Sequence, residues 1–269
     1  MNKSTLLRYK GYTKTPELFK SIDIPGIDQI KLSSESELIS DELKFKNQRL
    51  GKLVEEFVFY QLQQQASVKW IVENIQIQKE RRTIGELDAL YFLNDHPIHL
   101  EVVYKFYLYD TLKDYDEPLA YWIGPNRNDS LCYKLEKLRY KQFPLLFKSE
   151  TSIQLSEHNL NTAEVSQKLC FKAQLFLPYH KSNIAIEPLN KDCIKGVYLS
   201  FSAISTFKEL HFYIPQKLDW LVSCHNNVIW QVYKTAKLLI QEEIEAKRSP
   251  LVWLKYSETK FVKCFITFW

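Results

Sequence analysis

The chain has 269 residues and a formal net charge of +4, and 45% of its residues are hydrophobic and 25% charged. This length can bury a large core, as one elaborated domain or as two, and the small positive charge allows nucleic-acid binding without requiring it. No apolar run approaches the ~20 residues of a membrane-spanning helix and the N-terminus lacks the apolar segment of a signal peptide, so the sequence predicts a cytoplasmic protein with no membrane partner.

Sequence signals for bound cofactors are absent or weak. The five cysteines are dispersed, with no C-x-x-C pair and no histidine at zinc-ligand spacing, which favours reduced core thiols over disulfides or zinc. His96 and His99 flank the predicted turn, but their spacing around a proline does not make a ligand pair. The other four histidines are interpreted as structural or exposed residues, namely His158, His180, His211 and His225. The sequence contains no phosphate-binding loop and no dinucleotide glycine motif, so no nucleotide cofactor is expected.

The N-terminal part, residues 1–42, is predicted to form a helical extension. Its main signal is Thr15-Pro16-Glu17, because threonine caps helices and proline favours the first helical position. A second helix is predicted from about residue 43 to residue 65, where apolar residues recur at helical spacing. The apolar stripe consists of Leu50, Leu53, Val54, Phe57, Val58 and Leu62.

The middle of the chain is predicted to form a core in the order αβββαβ. Residues 70–78 alternate as a strand does, and residues 85–109 have the pattern of two strands joined by a turn at residues 94–97. A helix capped by Asn128, Asp129 or Ser130 follows. More helix is expected around residues 161–169, then a strand over residues 173–179. Residues 43–180 are thus predicted to form a mixed sheet flanked by helices, of the α/β (α+β) class.

Residues 181–269 are predicted to form a C-terminal αβ elaboration packed on that core, with a single domain overall as the alternative. Strands are predicted over residues 196–207 and 210–214 and a long helix over residues 230–248. The chain is expected to close with a hairpin formed by residues 251–255 and 260–268.

Three polar residues interrupt the apolar central hairpin, namely Asp88, Glu101 and Lys105. Because side chains alternate between the faces of a strand, Glu101 and Lys105 share a face, and Asp88 on the neighbouring strand can lie level with Glu101. Buried carboxylates are costly unless they bind a cation, and hard oxygen ligands suit Mg²⁺ or Mn²⁺. Glu86, two residues before Asp88 on the same strand face, could assist at this site, and a glutamate at the rim of the site is the favoured alternative.

The order Asp, then Glu-x-x-x-Lys on the next strand, resembles the PD-(D/E)XK nuclease superfamily, and GELD followed by a strand carrying Leu-Glu resembles its metal-binding hairpin. More narrowly, GELDAL, HLEVVYKFYLY and WIGPNRNDSLCYKLEKLRYKQ resemble a bacterial family of unknown function, domain of unknown function 1853, within that superfamily. The specific part of the resemblance lies between residues 50 and 142. It implies a restriction-endonuclease-like αβββαβ core.

The resemblance also implies a hydrolase, namely a metal-dependent nuclease. Asp88 and Glu101 would hold Mg²⁺ or Mn²⁺, and the carbonyl of Val102 would add a ligand. Glu55, on the helix that precedes the sheet, would be a third carboxylate at the site. The alternative for Glu55 is a half-buried surface glutamate paired with a lysine.

The lysine of the superfamily pattern is displaced in this sequence. The usual position, two residues after the glutamate, is Val103, and Lys105 lies two residues further on the same face, roughly 6–7 Å along the strand. Lys105 is expected to reach back to the site and to orient water or stabilise developing negative charge.

Nucleic acid, either DNA or RNA, is the expected partner. Arg127 precedes a predicted helix N-terminus, where free backbone N–H groups favour phosphate, and Lys134 and Gln142 lie within the family-like stretch. These three residues are candidates for nucleic-acid binding, and a solvated surface residue is the alternative for each. One alternative is a catalytically inactive nuclease-fold protein that binds nucleic acid or a protein partner. Another is a structural or interaction protein in which Glu101 and Lys105 form an ion pair.

Overall fold

A mixed β-sheet with helices on both sides organises the chain. The computed structural model describes residues 3–20, 24, 27–32, 45, 47–158, 160–181 and 184–269. The strands in these residues are β1 (Ile27–Gln29), β2 (Val68–Lys79), β3 (Arg82–Leu93), β4 (His96–Tyr109), β5 (Trp122–Ile123), β6 (Ser166–Pro178), β7 (Ile194–Ser200), β8 (His211–Tyr213), β9 (Gln231–Val232), β10 (Leu251–Lys255) and β11 (Phe261–Thr267). They are arranged in the order β2-β3-β4-β6-β7-β11-β10-β8-β9, with β1 beside β6 and β5 beside β4.

Three α-helices of the described residues have more than ten residues, and the other helices are short. The α-helices are α1 (Lys3–Thr13), α2 (Leu50–Gln63), α3 (Leu131–Lys137), α4 (Phe143–Leu145), α5 (Ser149–Leu155) and α6 (Tyr233–Glu245). A π-helical turn, Leu138–Gln142, joins α3 to α4, and a 3-10 helix spans Lys217–Leu221. No helix among the described residues is both long enough and apolar enough to cross a bilayer.

The predicted order of the core elements is confirmed. The order is α2, three antiparallel strands β2, β3 and β4, then α3, and finally β6, which runs parallel to β4. The β3–β4 turn is tighter than predicted, because Asn94 and Asp95 alone connect the strands, with φ of 48° and 63°. Both residue types tolerate this left-handed conformation, which matches the twist of a hairpin.

The two faces of β4 pack against different helices. Leu100, Val102 and Tyr104 lie in one apolar cluster with Phe57 of α2. Val103 and Tyr107 lie in a second cluster on the other face, together with Leu131 and Leu138 from the α3 side. This alternation follows from the period of two along a strand. It places β4 between α2 and α3, so that groups from both helices can reach it.

Three predicted helical segments are corrected by the structure. Thr15 ends the N-terminal helix instead of starting one, since its hydroxyl donates to the carbonyl of Gly11 at 2.9 Å and Leu18 hydrogen-bonds in extended form to Phe171. Helix α2 begins at Leu50, since residues 45 and 47–49 are not helical; residues 43, 44 and 46 lie outside the described part. Likewise, residues 33–42 of the predicted extension lie outside the described part.

Residues 161–169, predicted as helix, contain only one 3-10 turn before β6 begins at Ser166. From there β6 pairs with β4 without interruption, from Ile98↔Ser166 to Leu108↔Phe176. This long pairing outweighs the local helical preference of the sequence, because strand formation depends mainly on tertiary partners.

The C-terminal part extends the same sheet. Strand β7 pairs in parallel with β6 on one side and with β11 on the other, so the sheet is continuous across residue 180. The predicted closing hairpin is confirmed by the antiparallel pair β10–β11. The predicted strand over residues 196–207 is shorter, since residues 201–207 form a 3-10 helix, and the predicted long helix is α6.

Candidate metal centre and adjoining cleft

Asp88 and Glu101 lie level with each other on β3 and β4, as the sequence predicted. The pairing Ala89↔Leu100 places them in adjacent positions, and Asp88 Oδ2 accepts a hydrogen bond from the N–H of Val102 at 2.8 Å. Asp88 is 7% exposed and Glu101 is fully buried. The hairpin therefore brings two carboxyl groups together inside the protein.

A second pair of carboxylates joins Asp88. Carboxylate oxygens of Glu55, Glu86 and Asp88 lie within 4.8 Å of one another, a spacing that a single metal ion could bridge. Glu55 comes from α2, whose buried stripe sets its first turns against the sheet, and Glu86 precedes Asp88 on β3. The prediction that Glu55 approaches Asp88 thus has a geometric basis, and Glu86 is more central than its interpretation as a rim residue suggested.

Lys52 occupies the space between these carboxylates. Its Nζ lies 2.5 Å from Glu55 Oε2, donates to Glu86, and donates to Asn74 Oδ1 at 2.8 Å. Although burial lowers the pKa of Lys52, the hydrogen bonds to Glu55 and Glu86 raise it to about 12. Glu55 is therefore both a member of the carboxylate group and the lysine-paired glutamate of the alternative interpretation.

Burial and mutual repulsion make these carboxyl groups weak acids. Burial, together with the charge of Asp88, raises the pKa of Glu55 to about 7. Burial and the charge of Glu101 likewise raise the pKa of Asp88 to about 7, although the N–H of Val102 opposes this effect. Burial raises the pKa of Glu101 to about 8. Such shifts are common at functional sites because like charges are held together away from water.

Glu101 has its own set of partners. Its Oε1 lies 3.1 Å from Nε2 of His99, and its Oε2 accepts a hydrogen bond from the amide of Gln142. Gln142 in turn accepts from Lys134 Nζ at 2.7 Å. Lys134 and Gln142, two of the predicted nucleic-acid-binding residues, are therefore brought to the carboxylate site from the α3 side of β4.

His99 is a site residue that the sequence did not reveal. Gln167 Nε2 lies 3.0 Å from Nδ1 of His99 and also donates to the carbonyl of Phe143 at 2.8 Å. Burial lowers the pKa of His99 to about 4, so the ring is neutral near pH 7. With Gln167 donating to Nδ1, the ring hydrogen lies on Nε2 and is donated to Glu101. The available signal was that His99 shares the strand face of Glu101.

Lys105 pairs with Asp129 and not with Asp88 or Glu101. Its Nζ forms an ion pair with Asp129 Oδ2 at 2.5 Å, at the side of the cleft formed by residues 124–129. Lys134 is the lysine that approaches Glu101, through Gln142. Burial lowers the pKa of Lys134 to about 8, although the charge of Glu101 opposes that shift.

A cleft of about 670 Å³ leads to the site. It is lined by residues 102–106 of β4, by residues 48–51 around the start of α2 and by Glu55. Its basic side chains are Arg49, Lys105, Lys134 and Lys217. Because several cations face one concave surface, the cleft favours an anionic chain beside the carboxylates.

Arg127, the third predicted nucleic-acid-binding residue, holds a loop together. Its guanidinium donates to both carboxylate oxygens of Asp110, at 3.1 and 2.7 Å, and stacks 4.7 Å from the ring centroid of Trp269. These bonds lower the pKa of Asp110 against the opposing effect of its burial. The structure does not bring Arg127 into contact with the carboxylate site.

Comparison with known proteins places the chain in one family. Neither the curated proteins nor the solved structures gave a match. The sequence pattern described as "Domain of unknown function (DUF1853)" matches residues 28–263, which is most of the chain and includes every residue of the carboxylate site and of the cleft. The chain belongs to the DUF1853 family.

Proposed function

We propose that this protein is a metal-dependent phosphodiesterase that cleaves DNA or RNA, with a core of the PD-(D/E)XK type. The observation that carries the proposal is the group formed by Glu55, Glu86 and Asp88, whose oxygens lie within 4.8 Å of one another beside a basic cleft. The αβββαβ order of elements and the position of Glu101 next to Asp88 support the same assignment.

The carboxylates suit a hard divalent cation such as Mg²⁺ or Mn²⁺. Glu55, Glu86, Asp88 and Glu101 supply two more carboxyl groups than the ammonium groups of Lys52 and Lys134 that contact them or reach them through Gln142. One divalent ion would balance this excess. Glu55, Glu86 and Asp88 would hold it, with Glu101 and the carbonyl of Val102 as further ligands.

A bound Mg²⁺ or Mn²⁺ would supply an acidified water and polarisation of the phosphate. The side chains of the protein would orient the nucleic acid and stabilise negative charge on it. Lys134 is better placed than Lys105 to stabilise negative charge near Glu101, because Gln142 ties its ammonium group to that carboxylate. Lys105, Lys217 and Arg49 would follow the nucleic-acid backbone along the cleft.

A second candidate function is binding of nucleic acid without catalysis. The specific observation in its favour is Lys52, which already neutralises Glu55 and Glu86 as a cation would. Val103 at the usual lysine position and the ion pair of Lys105 with Asp129 point the same way. In this case the cleft would bind nucleic acid, and the carboxylates would have a structural role.

Titration of Mn²⁺ by calorimetry, followed by incubation with labelled single- and double-stranded DNA and RNA, tests the proposal. Asp88→Asn and Glu101→Gln keep the shape of each side chain and remove its charge. Glu150→Gln, at a half-buried glutamate that pairs with Lys79 instead of the site residues, is the matched control. We expect the control to bind metal and cleave like the wild type, and both site variants to lose cleavage while remaining folded by circular dichroism.

The outcomes separate the two functions. Metal binding without cleavage of any substrate would support the non-catalytic function. Cleavage that survives in both site variants would contradict the proposed role of the carboxylates. Absence of metal binding in the wild type would leave Asp88 and Glu101 as structural groups.

A further inference from the structure

Among the described residues, a buried lysine on β11 has only neutral hydrogen-bond acceptors as partners. Lys263 is 7% exposed, and its Nζ donates to the main-chain carbonyl of Trp220 at 2.6 Å and to Oε1 of Gln174 at 3.0 Å. Both acceptors are neutral, and within the described part of the chain Lys263 forms no ion pair with a carboxylate. Burial lowers the pKa of Lys263 to about 8, and the neighbouring Lys195 acts in the same direction. An ammonium group has three hydrogens, and these two bonds use two of them.

Lys263 lines a second cavity, of about 380 Å³, that we call the lysine cavity. Its lining includes two more lysines, Lys14 and Lys195, and the hydroxyl groups of Ser223 and Thr259, but no aspartate or glutamate. Among the described residues neither of these lysines forms an ion pair. The 3-10 helix Lys217–Leu221 separates this cavity from the cleft, because Trp220 faces the cleft and Leu221 faces the lysine cavity.

We propose that the lysine cavity binds a phosphate group. A phosphate carries up to two negative charges and several acceptor oxygens, which suit the ammonium and hydroxyl donors that line this cavity. A bound phosphate would accept the unused hydrogen of Lys263 and balance Lys14 and Lys195. A monocarboxylate would balance only one of the three charges. The proposal does not depend on metal binding or cleavage at Asp88 and Glu101.

The phosphate could be free or could belong to a nucleic-acid strand, and titration distinguishes the two. Inorganic phosphate and pyrophosphate are titrated by calorimetry at low ionic strength, with chloride at matched ionic strength as the blank. In a second arm, oligonucleotides with and without a terminal phosphate compete with pyrophosphate. We expect saturable pyrophosphate binding by the wild type. Competition by the oligonucleotides identifies a strand as the source, and preferential competition by the phosphorylated one identifies a strand end. Absence of competition by either oligonucleotide identifies a free phosphate.

Two lysine variants locate the binding. Lys195→Met removes a half-buried ammonium group and should lower pyrophosphate affinity about tenfold, as expected for one charge-assisted hydrogen bond. Lys263→Met should have at least this effect and, because it removes an unpaired buried charge, should not unfold the protein. Lys234→Met, an exposed lysine of α6, is the matched control and should bind as the wild type does.

The proposal is overturned if pyrophosphate causes no saturable heat beyond the chloride blank. It is equally overturned if Lys195→Met and Lys263→Met bind pyrophosphate as tightly as Lys234→Met. Should Lys263→Met fail to fold, Lys195→Met alone decides the result. Cleavage activity is not a readout here, so a negative result leaves the proposed function untouched.

Discussion

At the scale of single residues, the carboxylate site combines groups that were expected with groups that were not. Asp88 and Glu101 follow from strand alternation and hairpin pairing, which the sequence specifies. Lys52 and His99 do not, because a lysine on a helix and a histidine in a strand have many ordinary surroundings. Only the three-dimensional packing of α2 on the sheet shows that Lys52 lies between Glu55 and Glu86.

We expect Lys52 to compete with a metal ion for the carboxylates of Glu55 and Glu86. Since its ammonium group contacts the same oxygens that would ligate a cation, Lys52→Met should raise Mn²⁺ affinity about tenfold, the effect of ~1.4 kcal/mol. Without metal, the variant should be less stable than the wild type at pH 8, because Glu55 and Glu86 lose their partner. Calorimetric titration and urea unfolding measure the two effects.

Lys69→Met is the control for that experiment, because Lys69 is exposed on β2 and contacts the ring of Phe92 instead of a carboxylate. Its Mn²⁺ affinity should equal that of the wild type. Weaker metal binding in Lys52→Met would show that Lys52 supports the ion and does not compete with it.

The raised pKa values predict how stability depends on pH. Glu55, Asp88 and Glu101, with pKa values of about 7, 7 and 8, hold protons in the folded protein that the unfolded chain has released. Their contribution to stability is therefore complete below about pH 4 and is lost as the pH rises through the folded-state values. Without metal, the urea midpoint should fall between pH 5 and about pH 8.5.

Glu101→Gln mimics the protonated form and should flatten this pH dependence, whereas Glu150→Gln should leave it unchanged. Urea unfolding at several pH values in the presence of a chelator gives the comparison. If the urea midpoint falls with pH as steeply in Glu101→Gln as in the wild type, Glu101 is ionised in the folded protein at all these pH values.

At the scale of elements, sequence patterns located the hairpin and the core order but failed at element ends. The β3–β4 hairpin was located because its turn residues and its apolar strands both indicate a hairpin at the same place. Thr15-Pro16-Glu17 has the residue types of a helix start, yet Thr15 binds Gly11 at the end of α1. Residues 166–169 pair with β4, and no local signal encodes that partner.

The start of α2 offers a prediction at this scale. Arg49 caps the helix without a side-chain hydrogen bond, and Gly51 lines the cleft with open space where a Cβ would stand. Free N–H groups at a helix N-terminus favour phosphate. Gly51→Ala should leave the free energy of unfolding unchanged or raise it by up to about 1 kcal/mol, since alanine favours helix.

If the nucleic-acid backbone approaches this turn, Gly51→Ala should also weaken binding of labelled DNA or RNA severalfold, as measured by fluorescence anisotropy. Unchanged affinity together with unchanged or higher stability would exclude close approach of the strand to α2. Measurement at two salt concentrations separates this steric effect from the general attraction of the basic cleft.

At the scale of the whole molecule, one apolar cluster links the predicted core with the C-terminal part. Phe57 of α2, Phe106 of β4 and Phe265 of β11 belong to it, and the ring of Phe265 lies 4.7 Å from that of Phe176. Together with the continuous sheet, this packing predicts that residues 43–180 and 181–269 unfold together.

Phe265→Ala should therefore lower the stability of the entire protein by about 3–5 kcal/mol, the usual cost of a large buried cavity. Circular dichroism and tryptophan fluorescence should follow a single urea transition in the variant and in the wild type. Ile229→Ala, at a side chain that is 85% exposed, should change stability by less than ~0.5 kcal/mol. Separate transitions for the two probes would show independent units.

The π-helical turn Leu138–Gln142 changes the side of the helix that the residues after it face. In an unbroken α-helix, residues eight apart, such as Lys134 and Gln142, are about 80° out of line. The wider turn takes up one additional residue and rotates Gln142 back toward Lys134, which is how their side chains meet at 2.7 Å. Regular winding of the same residues would turn Gln142 away from Lys134. Deletion of one residue from the turn would instead leave the two residues seven apart in a regular helix, about 20° out of line, and so keep them aligned. The alignment of the two residues therefore depends on the winding of this turn as well as on their separation in the sequence.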